Sequence, residues 1–202
     1  ICTGSADSGD NAKALAAAKY TDVNTGDWFA EAVGSATAKD LLQGNGKGAF
    51  LPLSTTDRSA LATVLYRLAG SPEAESANFS DVADNAWYAD AVNWAASAGV
   101  VQGNNGAFYP TNALTREQAV VMFYNYAASL ELDVSGKADL SAYTDAADVS
   151  GYAADAMAWA VEAGLVTGTG KGDTLSPKAT ATRAELAALI LRAADLFAAV
   201  EA

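Results

Sequence analysis

Three arginines occupy matched places in the chain: Arg58, Arg116 and Arg183 each stand six residues after a proline, at Pro52, Pro110 and Pro177. Apolar residues then follow at three, six and seven positions: Leu61, Val64 and Leu65; Ala119, Met122 and Phe123; Leu186, Leu189 and Ile190. That spacing predicts a helix with one buried face, the arginine lying in its first turn. An arginine so placed adds a fixed cation to free backbone N–H groups and the positive end of the helix dipole, a combination that favours a carboxylate. The competing reading is a local salt bridge, such as one between Arg116 and nearby carboxylates. Of the two, binding is the reading adopted.

The elements that must position these arginines come in three diverged copies. Tyr20-Thr21-Asp22-Val23 with Trp28-Phe29-Ala30-Glu31-Ala32-Val33 aligns with Phe79-Ser80-Asp81-Val82 and Trp87-Tyr88-Ala89-Asp90-Ala91-Val92, and with Tyr143-Thr144-Asp145-Ala146 and Tyr152-Ala153-Ala154-Asp155-Ala156-Met157. The match continues through Leu41-Leu42-Gln43-Gly44, Val100-Val101-Gln102-Gly103 and Leu165-Val166-Thr167-Gly168 into glycine-rich loops that end at the three prolines. The copies span 19–70, 78–132 and 140–198. Polar, turn-forming connectors, Ser71-Pro72-Glu73-Ala74-Glu75-Ser76 and Asp133-Val134-Ser135-Gly136-Lys137-Ala138, separate them. Residues 1–18 form an N-terminal extension whose Gly/Ser/Asp-rich start is expected to be disordered, with a short helix over 11–19.

Within a copy, Trp87, Ala91, Trp94 and Ala95 recur at helical spacing, as do Tyr152, Ala156, Trp159 and Ala160, and Gly99 or Gly164 stops that first helix. Thr115-Arg116-Glu117-Gln118 and Thr182-Arg183-Ala184-Glu185 fit a capping box at the start of the second. The first copy has Asp57-Arg58-Ser59-Ala60, which keeps a capping side chain but lacks the reciprocal Glu or Gln, so this start should be weaker or differently held. Each copy is thus helix, glycine-rich loop, helix, too small to bury its apolar stripe alone. The expected fold is all-α: three tandem helix-loop-helix repeats packed as a pseudo-threefold helical bundle.

These residues resemble the S-layer homology (SLH) family: an aromatic-x-Asp-Val opening, Trp followed by Ala-x-Asp-Ala, a glycine-rich segment ending Phe-x-Pro, then Thr-Arg-Ala-Glu. The resemblance covers residues 20 to 198 and is fullest in copy two, in Phe79, Asp81, Trp87, Asp90, Gly103, Phe108, Pro110, Thr115 and Arg116. It implies a three-pronged bundle whose grooves between repeats bind secondary cell-wall polysaccharide, often pyruvylated, holding larger surface proteins on Gram-positive cells. A pyruvyl group supplies the carboxylate that the arginines suit. Trp28, Trp87 or Tyr152 can lie against the apolar face of a sugar, Asp22, Asp81 and Asp145 can accept from hydroxyls, and Gly44, Gly103 and Gly168 let backbone approach closely. Each has a structural alternative. The three aspartates read first as turn caps, Trp28 and Trp87 serve equally as core or as ligand surface, and Trp94 and Trp159 read as core. Copy three carries Tyr152 in place of Trp and Asp173-Thr174-Leu175 in place of Gly-Ala-Phe, and copy one lacks the Thr and Glu, so the sites need not be equal.

Composition narrows the rest. About half of the 202 residues are apolar, weighted to Ala and Leu, which favours helix over sheet. The formal charge of −12 and the absence of any basic run argue against nucleic acid and against anionic membranes. No apolar run is long enough to span a bilayer, because Gly, Asp, Asn or Arg interrupts each Ala-rich stretch. The single cysteine, Cys2, permits no intrachain disulfide and reads as a remnant of processing or cloning. With no histidine, a terminal cysteine and no paired carboxylates, catalysis has no support, and Asp145, Asp148 and Asp155 lack calcium-loop spacing. No cofactor is expected. The chain reads as a secreted, non-catalytic anchoring module and part of a larger surface protein, its partner a cell-wall polysaccharide. The alternatives are a protein-interaction or self-assembly module, or direct peptidoglycan binding.

Overall fold

The computed structural model describes residues 6–198; Cys2 and the first residues of the extension lie outside them. Among the described residues the chain is all-α, with seven helices: α1 (Ala6–Lys19), α2 (Ala30–Ala38), α3 (Arg58–Leu68), α4 (Ala89–Ser97), α5 (Arg116–Ser129), α6 (Ala154–Glu162) and α7 (Arg183–Ala198). None is long and apolar enough to cross a membrane. The chain forms two compact bodies. One contains the described residues up to Thr55 together with Thr182–Leu196; the other contains Thr56–Ala181 and continues from Phe197.

In the first body α1 packs on α2. The expected helix over 11–19 extends back to Ala6, so the polar start from that residue onward is helical rather than disordered. Packing is the reason, since short helices depend on an apolar contact more than on propensity. Ala16 is fully buried, and Gly34 lets α1 sit so close that a Cβ there would fall 1.8 Å from the Ala12 carbonyl oxygen. The connectors take the same place on the helices that follow them. Ala77 N–H donates to Asn93 Oδ1 on α4 (3.0 Å), and Ala138 N–H donates to the Ala158 carbonyl on α6 (3.2 Å), positions that align with Gly34.

In the second body α3 packs on α4 and α5 on α6, so the second helix of one copy pairs with the first helix of the next. The faces expected to be buried are buried: Leu61, Val64 and Leu65 on α3, and Ala119, Met122 and Phe123 on α5; Trp94 and Trp159 are buried as well. The segments leading into the second helices exchange backbone hydrogen bonds in a closed ring: Thr56 N–H to Ala181 O (3.0 Å), Ala181 N–H to Leu114 O (2.8 Å) and Leu114 N–H to Thr56 O (2.9 Å).

Helix ends follow local chemistry. Thr115 and Gln118 form the expected capping box, and Thr182 and Glu185 make the same reciprocal bonds. Asp57, without a reciprocal partner, accepts from both Ala60 N–H and Ser59 Oγ at 2.8 Å. Gly99 and Gly164 end α4 and α6 at φ of 72° and 71°; Asp40 takes that left-handed place after α2 at φ 58°, which Asp tolerates better than most residues. One expectation is corrected. Trp87 and Tyr152 do not share a helical face with Ala91 and Ala156, because α4 begins at Ala89 and α6 at Ala154; the rings sit in the preceding turn and point outward.

Replacing Gly34 with alanine should push α1 off α2. Hydrogen exchange should then show lost amide protection across residues 6–19, with protection in α4 and α5 unchanged.

Candidate functional site

The residues singled out by type are first of all engaged with the glycine-rich loops. Asp81 accepts from Phe108 N–H (2.8 Å) and Tyr109 N–H (2.7 Å), one to each carboxylate oxygen. Asp22 holds Phe50 and Leu51 in the same way, and Asp145 holds Leu175 and Ser176. The second residue of each pair has positive φ: Leu51 61°, Tyr109 60° and Ser176 51°. Such a conformation costs roughly 1–2 kcal/mol in an L-residue, and the paired charge-assisted bonds offset it. The neighbouring hydroxyl adds a bond to the loop: Thr21, Ser80 and Thr144 donate to Gly48, Gly106 and Asp173 carbonyls. Copy three therefore keeps the geometry despite its different loop residues.

The arginines take the opposite side of the same peptides. Arg58 Nε donates to Phe108 O (2.9 Å), Arg116 Nε to Leu175 O (3.0 Å) and Arg183 Nε to Phe50 O (2.9 Å). The first two thus reach from one copy into the next, and the third reaches from copy three to copy one. Their main chains follow: Arg58 N–H bonds Asn112 O, Arg116 N–H bonds Ala179 O and Arg183 N–H bonds Ser54 O. Arg58 and Arg183 also lie 4.7 Å above the rings of Phe108 and Phe50. Arg116 meets Leu175 instead of a ring, which makes the three arginines unequal.

The glycines answer to the same loops. A Cβ at Gly44 would meet the Tyr20 ring at 2.6 Å, and one at Gly103 the Phe79 ring at 2.4 Å; at Gly168, φ is 82° and the Gly172 carbonyl is 2.5 Å away. At Gly44 and Gly103 the close approach is between backbone and the aromatic that opens the copy. The outward rings stand apart from this framework: Trp28 is 66%, Trp87 69% and Tyr152 60% exposed.

In the second body, parts of three copies line an open cavity of about 830 Å³. Arg58 enters from copy one, Gln102, Gly103, Asn104 and Tyr109 from the loop of copy two, and Tyr152 from copy three, over a wall of α5 that includes Met122 and Asn125. Of the residues predicted as a site, the cavity gathers Arg58, Gly103 and Tyr152; Asp81 lies behind it, holding the loop. Among the described residues that line it, Arg58 is the only charged one. Two of its five N–H donors go to Phe108 O and, at 3.4 Å, Gln102 O, leaving three for a ligand. Burial pushes its pKa down, opposed by the nearby Tyr152 and Asp81. The amides Gln102, Asn104, Asn112 and Asn125 were not singled out in the sequence; their only sequence signal is proximity to the glycine-rich loop or the apolar stripe.

Glu117 was also missed as a site residue. It stands on the first turn of α5, only 3% exposed, where the other copies have Ser59 and Ala184. Its carboxylate accepts from Lys178 Nζ (2.8 Å), Tyr152 Oη (2.8 Å), Ser150 Oγ (3.0 Å) and Ser150 N–H (3.1 Å). Burial by itself would raise its pKa; the bonds from Lys178, Ser150 and Tyr152 outweigh that and hold it below the ordinary value of 4.5. Burial and the same carboxylate push the Tyr152 phenol up to about 12.

Three segments of the chain, 19–62, 78–120 and 142–187, match the S-layer homology domain. The chain is 32% identical over 180 residues to the Surface-layer 125 kDa protein of Lysinibacillus sphaericus, covering 87% of this chain and 15% of that protein. It is 26% identical over 181 residues to the S-layer protein sap of Bacillus anthracis, covering 89% and 22%. A third match, 27% identical over 164 residues, is to an amylopullulanase of Thermoanaerobacterium thermosulfurigenes and covers 81% and 9%. The chain therefore spans less than a quarter of the length of each of these relatives.

Two outcomes follow for stability. Asp81→Ala strands two loop N–H groups and should cost on the order of 3 kcal/mol in chemical denaturation. Because the Glu117 pKa is depressed on folding, its contribution is complete above the unfolded value and is lost as pH falls through the folded one. Glu117→Gln should therefore cost about 2 kcal/mol at neutral pH, and the gap from the parent protein should close below the ordinary glutamate range.

Proposed function

Since the chain belongs to the S-layer homology domain family, whose non-catalytic modules anchor proteins at the cell surface by binding the cell wall, we propose that it fastens a larger protein to a secondary cell-wall polysaccharide bearing pyruvyl groups. The cavity around Arg58 is the binding site in this reading. The observation that carries it is the one cation among the described residues that line the cavity, with three donors to spare, set among neutral amides beside an exposed ring. A carboxylate finds its partner at the guanidinium, sugar hydroxyls pair with the amides, and an apolar sugar face lies on the ring. The protein's overall negative charge does not prevent this, since surface charges beyond about 10 Å are screened at ordinary salt. The closed ring through Thr56, Leu114 and Ala181 supports an equivalent setting for the three segments that lead into the second helices. The recurrence of the arginine buckle in every copy supports related roles for Arg116 and Arg183.

Cosedimentation with purified walls tests the reading. Binding should be strong on intact walls and lost once the pyruvylated polymer is removed; binding that survives removal points to peptidoglycan or protein and overturns the proposal. Arg58→Lys keeps the charge but not the planar fork, and should weaken binding roughly tenfold or more while also lowering the melting temperature, because the bond from Nε to the Phe108 carbonyl goes with it.

A further inference from the structure

We infer that Glu117 is a positioning residue for the Arg58 cavity, fixing the Tyr152 ring at its mouth through the phenol, so that this site reads its ligand with a locked tyrosine. The inference rests on the proposed glycan site and adds a determinant peculiar to this cavity.

Two departures from the repeat occur together. Position 152 has Tyr where the other copies have Trp28 and Trp87, and position 117 has Glu where they have Ser59 and Ala184. The structure joins these two positions by a 2.8 Å hydrogen bond from Tyr152 Oη to Glu117 Oε1. A buried carboxylate needs partners, and this one is satisfied from three sides, by Lys178, Ser150 and Tyr152. Lys178 also bonds Ser150 Oγ, closing the cluster. Glu117 is anchored through its main chain as well, its N–H donating to Pro177 O at 3.0 Å. The acceptor is therefore fixed before any ligand arrives.

The consequence for recognition is directional. Tyr152 is 60% exposed, so its ring would otherwise sample several rotamers, and ordering it on binding would cost affinity. With the phenolic hydrogen committed to Glu117, the phenol oxygen can offer a ligand only an acceptor. The site then presents Arg58 as donor on one side and an aromatic face with an acceptor edge on the other. A ligand that satisfies both carries an anionic acceptor next to a ring with free hydroxyl donors, as an acidic sugar does.

The test uses the whole chain, purified walls carrying their native polymer, and Tyr152→Phe, Glu117→Gln and the double variant. Tyr152→Phe keeps the ring on the surface and should not disturb folding. Each single variant should weaken wall binding about five- to tenfold, and the double variant should bind no more weakly than the weaker single, because both act on one contact: Tyr152→Phe removes the donor, and Glu117→Gln replaces the charged acceptor with a weaker neutral one. A ligand-free readout accompanies this: the tyrosinate difference spectrum between the parent and Tyr152→Phe should titrate near 12, and the same difference taken with Glu117→Gln in both proteins should move that step down toward the ordinary 10.0. The inference is overturned if the parent binds walls while Tyr152→Phe binds equally well, or if Glu117→Gln weakens the Tyr152→Phe variant as much as it does the parent. Failure of the parent itself to bind walls would overturn the glycan reading, and the titration would still decide the Glu117 to Tyr152 contact.

Discussion

The peptide between Phe108 and Tyr109 shows the constraint on which the second body depends. Its N–H, with that of Phe108, is held by Asp81, and the Phe108 carbonyl is taken by Arg58 from the preceding copy. A carboxylate on one side and a guanidinium on the other fix a left-handed residue that would otherwise relax into a commoner conformation. The same buckle recurs at Leu175 with Asp145 and Arg116, and in the first body at Phe50 with Asp22 and Arg183. Because the arginine always comes from another copy than the loop, folding of a loop and docking of the next helix are one event.

In the proposed function that arrangement lets Arg58 serve two purposes without conflict. Nε and one outer N–H are committed to the loop, and three outer N–H groups remain. A lysine, with its single ammonium and no planar fork, cannot divide its donors in this way. The glycines at 44 and 103 answer a related demand for space: they let the loop lie against the aromatic that opens each copy, and the loop's position in turn decides where the amides around the cavity stand.

Sequence reading and structure part company over which pieces pack together. A copy in sequence runs from its opening aromatic to the end of its second helix, but the packed pairs are α3 with α4 and α5 with α6, across copy boundaries. Periodicity shows that a helix has an apolar face and says nothing of which helix covers it. Trp87 and Tyr152 illustrate a related limit, since they fall on the helical period of α4 and α6 although those helices start two residues later.

What the sequence determined by itself was the three copies, their all-α character, the placement of the arginines at helix starts and the three capping side chains, Asp57, Thr115 and Thr182, because these follow from local spacing and backbone chemistry. The extent of α1 depended on Gly34 admitting Ala12, a contact between residues far apart in the chain. The pairing of Glu117 with Tyr152 was present in the sequence only as two coincident departures from the repeat. The tertiary structure decided that they touch, because a buried carboxylate finds its partners through space, and no spacing along the chain specifies them.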